Sequence, residues 1–222
     1  MVISVIIPAH NEEKYIEKCL FSLEKQVEKP DEIIVVDNNC RDKTIAIAKK
    51  FRVKIVKEKR QGIAFARNKG FDCAKGDIIV RCDADTIVPP DWIKKIKTNF
   101  QKHKIDALTG SVIFYDLPLK TPIFANVYMD IMKTALKGNN TLNGFNMAIK
   151  KNIWKKVRKK VCLDSNKVHE DVDLAIQIGK AGGVIAVDKN LVVKSSGRRI
   201  VKKPYSFFAE YPIKLVKTLK YS

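Results

Sequence analysis

The chain is 222 residues long, enough for one large domain or a domain with a tail. A chain of that length buries roughly 70% of its unfolded surface, so it needs no disulfide or metal to hold a core. With 45% hydrophobic and 30% charged residues it is neither a disordered nor a fibrous sequence. Forty-three Lys and Arg against 24 Asp and Glu leave a formal charge of +19, which points to nucleic acid, an anionic membrane surface or a phosphate-bearing substrate. The five cysteines (Cys19, Cys40, Cys73, Cys82 and Cys162) include no CxxC pair, which argues against a zinc centre or a disulfide framework and for a reducing cytosol. No window of about 18 residues is free of charge, so no transmembrane helix is expected. The expected location is cytoplasmic, with any membrane touched from its cytoplasmic face.

In chain order, Val2 to Ile7 is an apolar run ended by Pro8, which reads as a strand buried on both faces rather than a signal peptide. Asn11 is expected to cap a helix with Glu12 and Glu13 in its first turn and with Ile16, Cys19, Leu20, Leu23 and Val27 on its apolar face. Glu32 to Val36 reads as a second buried strand, Asp42 as the cap of a helix through Lys50, and Val53 to Val56 as a third strand. Gly62 opens a helix to about Ala74, Asp77 to Cys82 is a fourth strand, and Pro89-Pro90-Asp91-Trp92 starts another helix. Strand and helix alternating with short joints predict an α/β fold, a mostly parallel sheet with helices on both faces.

The second half is less regular. Ala107 to Tyr115 reads as a strand, and Pro122 to Leu136 as a helix with Ile123, Val127, Ile131 and Leu136 apolar. Gly144 to Ile149 reads as a short strand, Glu170 to Ala181 as a helix, and Val184 to Val187 and Leu191 to Val193 as two more short strands. One domain over 1–200 is expected, with halves 1–104 and 105–200, followed by a basic tail at 201–222. Residues 150–160 hold seven Lys or Arg, which read as a solvated face.

In an open parallel sheet, ligands bind beyond the carboxyl ends of the strands. Those ends carry Pro8-Ala9-His10-Asn11-Glu12, Asp37-Asn38-Asn39 and Asp83-Ala84-Asp85. Neither GxGxxG nor GxxxxGK[ST] occurs, so a phosphate site here relies on a divalent cation or on arginines. Asp83 and Asp85 offer hard oxygen ligands that suit Mg2+ or Mn2+ bridging a diphosphate.

Taken together with Asp31-Glu32-Ile33-Ile34-Val35-Val36-Asp37-Asn38, Gly62-Ile63-Ala64-Phe65-Ala66-Arg67-Asn68 and Glu170-Asp171-Val172-Asp173-Leu174, these segments give a specific match. From about residue 3 to about residue 200 the chain resembles a family 2 glycosyltransferase of the GT-A fold. The resemblance implies a Rossmann-like sheet with an irregular acceptor-side second half, and a UDP- or GDP-sugar donor with its base near Pro8, Ala9, Asn11, Glu12 and Asp37. Gln61, Gly62 and Arg67 then approach the donor, with Arg67 as a phosphate or sugar contact. Asp83, Ala84 and Asp85 hold the nucleotide, and Asp83 and Asp85 the metal. Asp171 becomes the base of an inverting transfer to a glycan or a lipid-linked hydroxyl, and Glu170 orients the acceptor or the base. Gly144, Phe145 and Asn146 lie on the acceptor side, while His169 is read as incidental.

The chain departs from the family pattern at His10, where Tyr is common, and at Asp37-Asn38, where two aspartates are common. A late metal-binding His is replaced by Lys194-Ser195-Ser196-Gly197-Arg198-Arg199, whose arginines are expected at the diphosphate. Trp92 and Trp154 are expected as core anchors rather than sugar platforms. The rival readings are a basic nucleic-acid-binding α/β protein and a non-catalytic GT-A module. No nucleic-acid partner is expected, because many of the basic residues are scattered rather than interleaved with aromatics. In the tail, Ile213, Val216 and Leu219 alternate with Lys214, Lys217 and Lys220, with Phe207, Phe208 and Tyr211 upstream. That pattern suits either peripheral contact with an anionic membrane or docking on the protein's own core.

Overall fold

The computed structural model describes residues 1–118, 121–136, 138–164, 166–202 and 211–221. Its frame is a seven-stranded sheet in the order β3-β2-β1-β4-β6-β5-β7. The strands are β1 (Ile3–Ala9), β2 (Glu32–Asp37), β3 (Lys54–Lys57), β4 (Ile78–Arg81), β5 (Ala107–Phe114), β6 (Met147–Lys150) and β7 (Ile185–Ser195). The first four run parallel, β6 is antiparallel to β4 and β5, and β5 and β7 are parallel. Every residue of β1 is buried, as a central parallel strand covered on both faces requires. The register sets Ala9 beside Asp37 and Asp37 beside Lys57, so three strands end on one line.

The helices are α1 (Ile16–Glu24), α2 (Thr44–Ala48), α3 (Ile63–Cys73), α4 (Trp92–Lys102), α5 (Ile123–Ala135), α6 (Lys151–Val157), α7 (Glu170–Lys180), α8 (Arg198–Lys202) and α9 (Tyr211–Tyr221). Alternation along β1 divides the core. Val5 and Ile7 join Leu20 and Leu23 of α1 and Trp92 and Ile96 of α4 in one cluster. Ile6 faces Phe71 of α3, Trp154 of α6 and Leu174 of α7 in the other. A third, small cluster joins Met132 and Leu136 to Val172, with Leu215 of α9 packed against it. Trp92 and Trp154 are wholly internal, their indoles donating to Asn146 and Asp72 at 2.9 Å each. No helix among the described residues is long and apolar enough to cross a membrane.

Several local expectations change. Asn11 does not cap α1: it sits at φ 55°, its Oδ1 accepting from Arg41 N–H at 2.8 Å, and the helix begins only at Ile16. Val27, beyond the end of α1, is exposed. Asp42 is not the cap of α2: Lys43 holds that position, Asp42 accepts from Thr44 N–H at 3.0 Å from one residue further out, and the helix stops at Ala48. The basic stretch after Lys150 is a helix, α6, anchored by buried Ile153, Trp154 and Val157. The two short strands near the C-terminal end are one strand, β7, whose register against β5 shifts between Gly110 and Ser111. In α5 the buried side chains include Met129, Met132 and, just after it, Leu136, while Ile123, Val127 and Ile131 are 59%, 49% and 61% exposed. A helix apolar on more than one side defeats a reading that assigns a single stripe to the core.

Candidate functional site

The loops after β1 and β2 are stitched into one surface. Asn38 N–H donates to Ala9 O at 2.9 Å, His10 Nδ1 lies 2.8 Å from Asn38 O, and Glu12 N–H donates to Thr44 Oγ1 at 2.7 Å. Asp37 turns the chain by accepting from Cys40 N–H at 2.9 Å and stays half-buried at the strand end. Asn38 is a bracket between loops. Its Nδ2 donates to Glu58 O at 3.0 Å and Arg60 O at 2.7 Å, and its Oδ1 accepts from Gly62 N–H at 2.9 Å. An aspartate could not make the two donations, which accounts for an amide at this position. Gly62 then enters α3 at φ 142°, a backbone that side chains avoid. Gln61 is exposed, receiving a hydrogen bond from Asn39 Nδ2 at 3.2 Å.

Behind this surface lies a buried lattice of charge. Arg67 and Arg81 each pair with one oxygen of the Glu170 carboxylate. Arg67 also donates to Glu170 O at 2.7 Å, and Arg81 Nη2 reaches Asp83 Oδ1 at 3.0 Å. Burial pushes the Arg67 guanidinium down, partly offset by Glu170. Burial also opposes the charge on Arg81, but Glu170 and Asp83 outweigh it and hold that residue firmly protonated. Arg67 is therefore a correction: it is fully internal and committed to Glu170, and does not present itself to a donor. Glu170 likewise has both oxygens taken, so it fixes the start of α7 rather than meeting an acceptor directly.

Next to it, Asp171 is 16% exposed at the side chain, with His169 Nδ1 2.9 Å from its Oδ1 and Gly144 N–H donating to its Oδ2 at 3.1 Å. Burial pushes its carboxyl up, but the His169 contact, Arg81 and the Gly144 amide together hold it well below the usual carboxylate range. His169 is thus no bystander. Its backbone N–H donates to Thr218 Oγ1 of α9 at 2.7 Å. Gly144 is required here, since a Cβ would lie 2.7 Å from Arg81 Nη2. Asn146 is a second correction. Fully buried, it accepts from Trp92 and donates to Ser111 O at 3.0 Å and Leu191 O at 2.7 Å, and Phe145 packs on the core.

Asp83 and Asp85 flank buried Ala84 at the end of β4, with side chains 31% and 12% exposed. Asp85 Oδ1 accepts from Ser195 Oγ at 3.1 Å, and Arg198 Nη2 lies 3.3 Å from Oδ2 and 2.5 Å from Glu12 Oε1. Burial first, then the charge of Asp83, raises the Asp85 carboxyl to about 6 despite Arg198. Among the described residues, no three His, Cys, Asp or Glu side chains converge as a self-sufficient metal cage. Two aspartates with a nearby Glu12 oxygen that is buried and unpartnered fit a hard cation completed by water and phosphate oxygens.

Arg81 and Ser195 join this site without a motif that assigns them to it. Arg81 shows in sequence as a charge closing an apolar strand, and Arg198 as one of the arginines expected at the diphosphate.

The sheet that gathers carboxylates beyond β1, β2 and β4, with an arginine–carboxylate lattice beside them, has a fold of the GT-A type. The chain belongs to glycosyl transferase family 2, whose family model matches residues 4–157; Glu170 and Asp171 follow that segment. It is 31% identical over 147 residues to an uncharacterised glycosyltransferase of Haemophilus influenzae, covering 63% of this chain and 46% of that protein. The chain spans less than half the length of the curated relatives it matches. In fold it is similar to Staphylococcus aureus TarS in complex with UDP-GlcNAc, with TM-score 0.69 and 22% identity over 89% of this chain and 59% of that one. It is also similar to the mannosyltransferase PcManGT of Pyrobaculum calidifontis in complex with GDP-Man and Mn2+, with TM-score 0.70 and 23% identity over 87% and 56% of the two chains.

Proposed function

We propose that this chain carries the catalytic site of an inverting glycosyltransferase that uses a UDP- or GDP-sugar. The observation that carries the reading is the continuous link from Asp83 through Arg81 and Glu170 to the residue next in sequence, Asp171. It ties the phosphate end of the cleft to a carboxylate able to take a proton. The similar folds bind UDP-GlcNAc in one case and GDP-Man with Mn2+ in the other, which supports this donor class.

Asp83 and Asp85 would hold Mg2+ or Mn2+, which when bound neutralises the charge of the leaving diphosphate. Pro8, Ala9, Asn11 and Asp37 would line the base end, with Gln61 and Gly62 at its rim, while Glu12, read from sequence with them, meets Arg198 beside Asp85. The acceptor hydroxyl attacks the anomeric carbon, a C–O bond forms as the bond to the diphosphate oxygen breaks, and Asp171 receives the hydroxyl proton. His169 and the Gly144 amide aim that carboxylate and keep it ionised.

Residues 1–200 act as the transferase unit in this reading. The α9 face bearing Ile213, Val216 and Leu219 is exposed, as is the α5 stripe of Ile123, Val127 and Ile131. With Lys214, Lys217 and Lys220 alongside, this side suits an anionic membrane and a lipid-linked acceptor. Phe207 and Phe208 lie outside the described residues.

Asp171→Asn tests the base. Donor affinity should stay within about twofold while kcat falls by about 10² or more. A collapse of donor affinity with turnover of bound substrate preserved would make Asp171 a binding residue.

A further inference from the structure

Arg198 stands where a cation at Asp85 has to arrive. The backbone that carries it is strapped down: Gly197 N–H and Ser196 Oγ both donate to the Asp116 carboxylate at 2.5 Å, and Arg198 N–H donates to Ser196 Oγ at 3.2 Å. Its guanidinium lies 4.2 Å from the centre of the Tyr15 ring and contacts both Glu12 Oε1 and Asp85 Oδ2. Asp85 Oδ1 is held by Ser195. Carboxylates gathered this closely with little solvent need a compensating charge, and here a side chain provides it. A guanidinium and a divalent ion cannot both take Asp85 Oδ2.

We propose that Arg198 is a resident counter-ion that the divalent cation must displace from Asp85. This rests on the metal reading of Asp83 and Asp85. The Asp116 strap keeps the released guanidinium beside the cleft, where a diphosphate arriving with the cation offers it new oxygens. Closing of Arg198 onto Asp85 and cation binding therefore oppose one another, and by linkage each weakens the other by the same factor.

The test is a Mn2+ titration of the nucleotide-free full chain, with free Mn2+ read by electron paramagnetic resonance. Arg198→Ala should bind Mn2+ about tenfold more tightly than the wild type, within the ordinary range of such couplings. Arg198→Lys should fall between them, since an ammonium keeps the charge but is more strongly hydrated and lacks the planar face that stacks on Tyr15. Lys194→Ala removes a positive charge from an exposed position of β7 without touching Asp85, and should match the wild type. In the wild type, Mn2+ should also raise deuterium uptake by the amides of residues 199–202, beyond the Asp116 strap. Equal affinity of the wild type and Arg198→Ala, or equal tightening in Lys194→Ala, overturns displacement. A wrong metal reading looks different: neither the wild type nor Arg198→Ala binds Mn2+, and the inference falls with it.

Discussion

Asp85 is the residue where function and stability pull hardest against each other. Its carboxyl is enclosed, faces Asp83 and Glu12, and is raised from an ordinary value of 3.8 to about 6. A carboxyl whose folded-state value lies above its unfolded one destabilises the fold wherever it is ionised. The cost is complete above about pH 6 and disappears below about pH 4. A rise of that size corresponds to at most about 3 kcal/mol at neutral pH. Asp85→Asn should therefore raise the melting temperature of the metal-free protein at pH 7.5 while abolishing Mn2+ binding. Calorimetry of the two proteins reads the sign, and a lower Tm for the variant would show that Arg198 and Ser195 more than repay burial. Gly144 teaches a related lesson. Its sequence context suggested a place near the acceptor, and the geometry adds a reason for glycine: the approach of Arg81 leaves no room for a Cβ.

Among the elements, those whose identity rests on local chemistry were the legible ones. β1 and β2 announce themselves by continuous Ile and Val, α3 by Gly62, α4 by Pro89-Pro90-Asp91, and α7 by its acidic first turn. What could not be read was long-range. Arg67 carries no mark in sequence that its partner is Glu170, 103 positions later. The bond of His169 to Asp171 is local, but its support from Thr218 comes from a helix at the other end of the chain. In α9 the expected apolar stripe of Ile213, Val216 and Leu219 points outward, because Thr218 and Leu215 make the contacts to α7 and its surroundings. An exposed stripe beside lysines predicts vesicle binding. The full chain should pellet with anionic liposomes at low salt, and Ile213→Glu/Val216→Glu, altering only exposed positions, should pellet several-fold less. Equal and negligible pelleting of both would leave this face without a role at a membrane.

For the whole molecule, the charge of +19 is explained only in part by the site. Arg67 and Arg81 are spent on internal carboxylates and Arg198 on Glu12 and Asp85, so much of the excess lies on exposed lysines. What the fold does is bring residues from opposite halves together: Asp83 from the regular first half, Gly144, Glu170 and Asp171 from the irregular second. The activity proposed for this junction is transfer of a sugar from a UDP- or GDP-sugar. The most direct measurement is release of nucleoside diphosphate from a panel of UDP- and GDP-sugars, with Mn2+ and with EDTA, by the wild type and by Asp171→Asn. At least one sugar nucleotide should be turned over, by slow hydrolysis or faster with an acceptor alcohol, and the activity should vanish in EDTA and fall by about 10² or more in the variant. Turnover undiminished in EDTA, or no release from any donor by a folded, Mn2+-loaded protein, would contradict it.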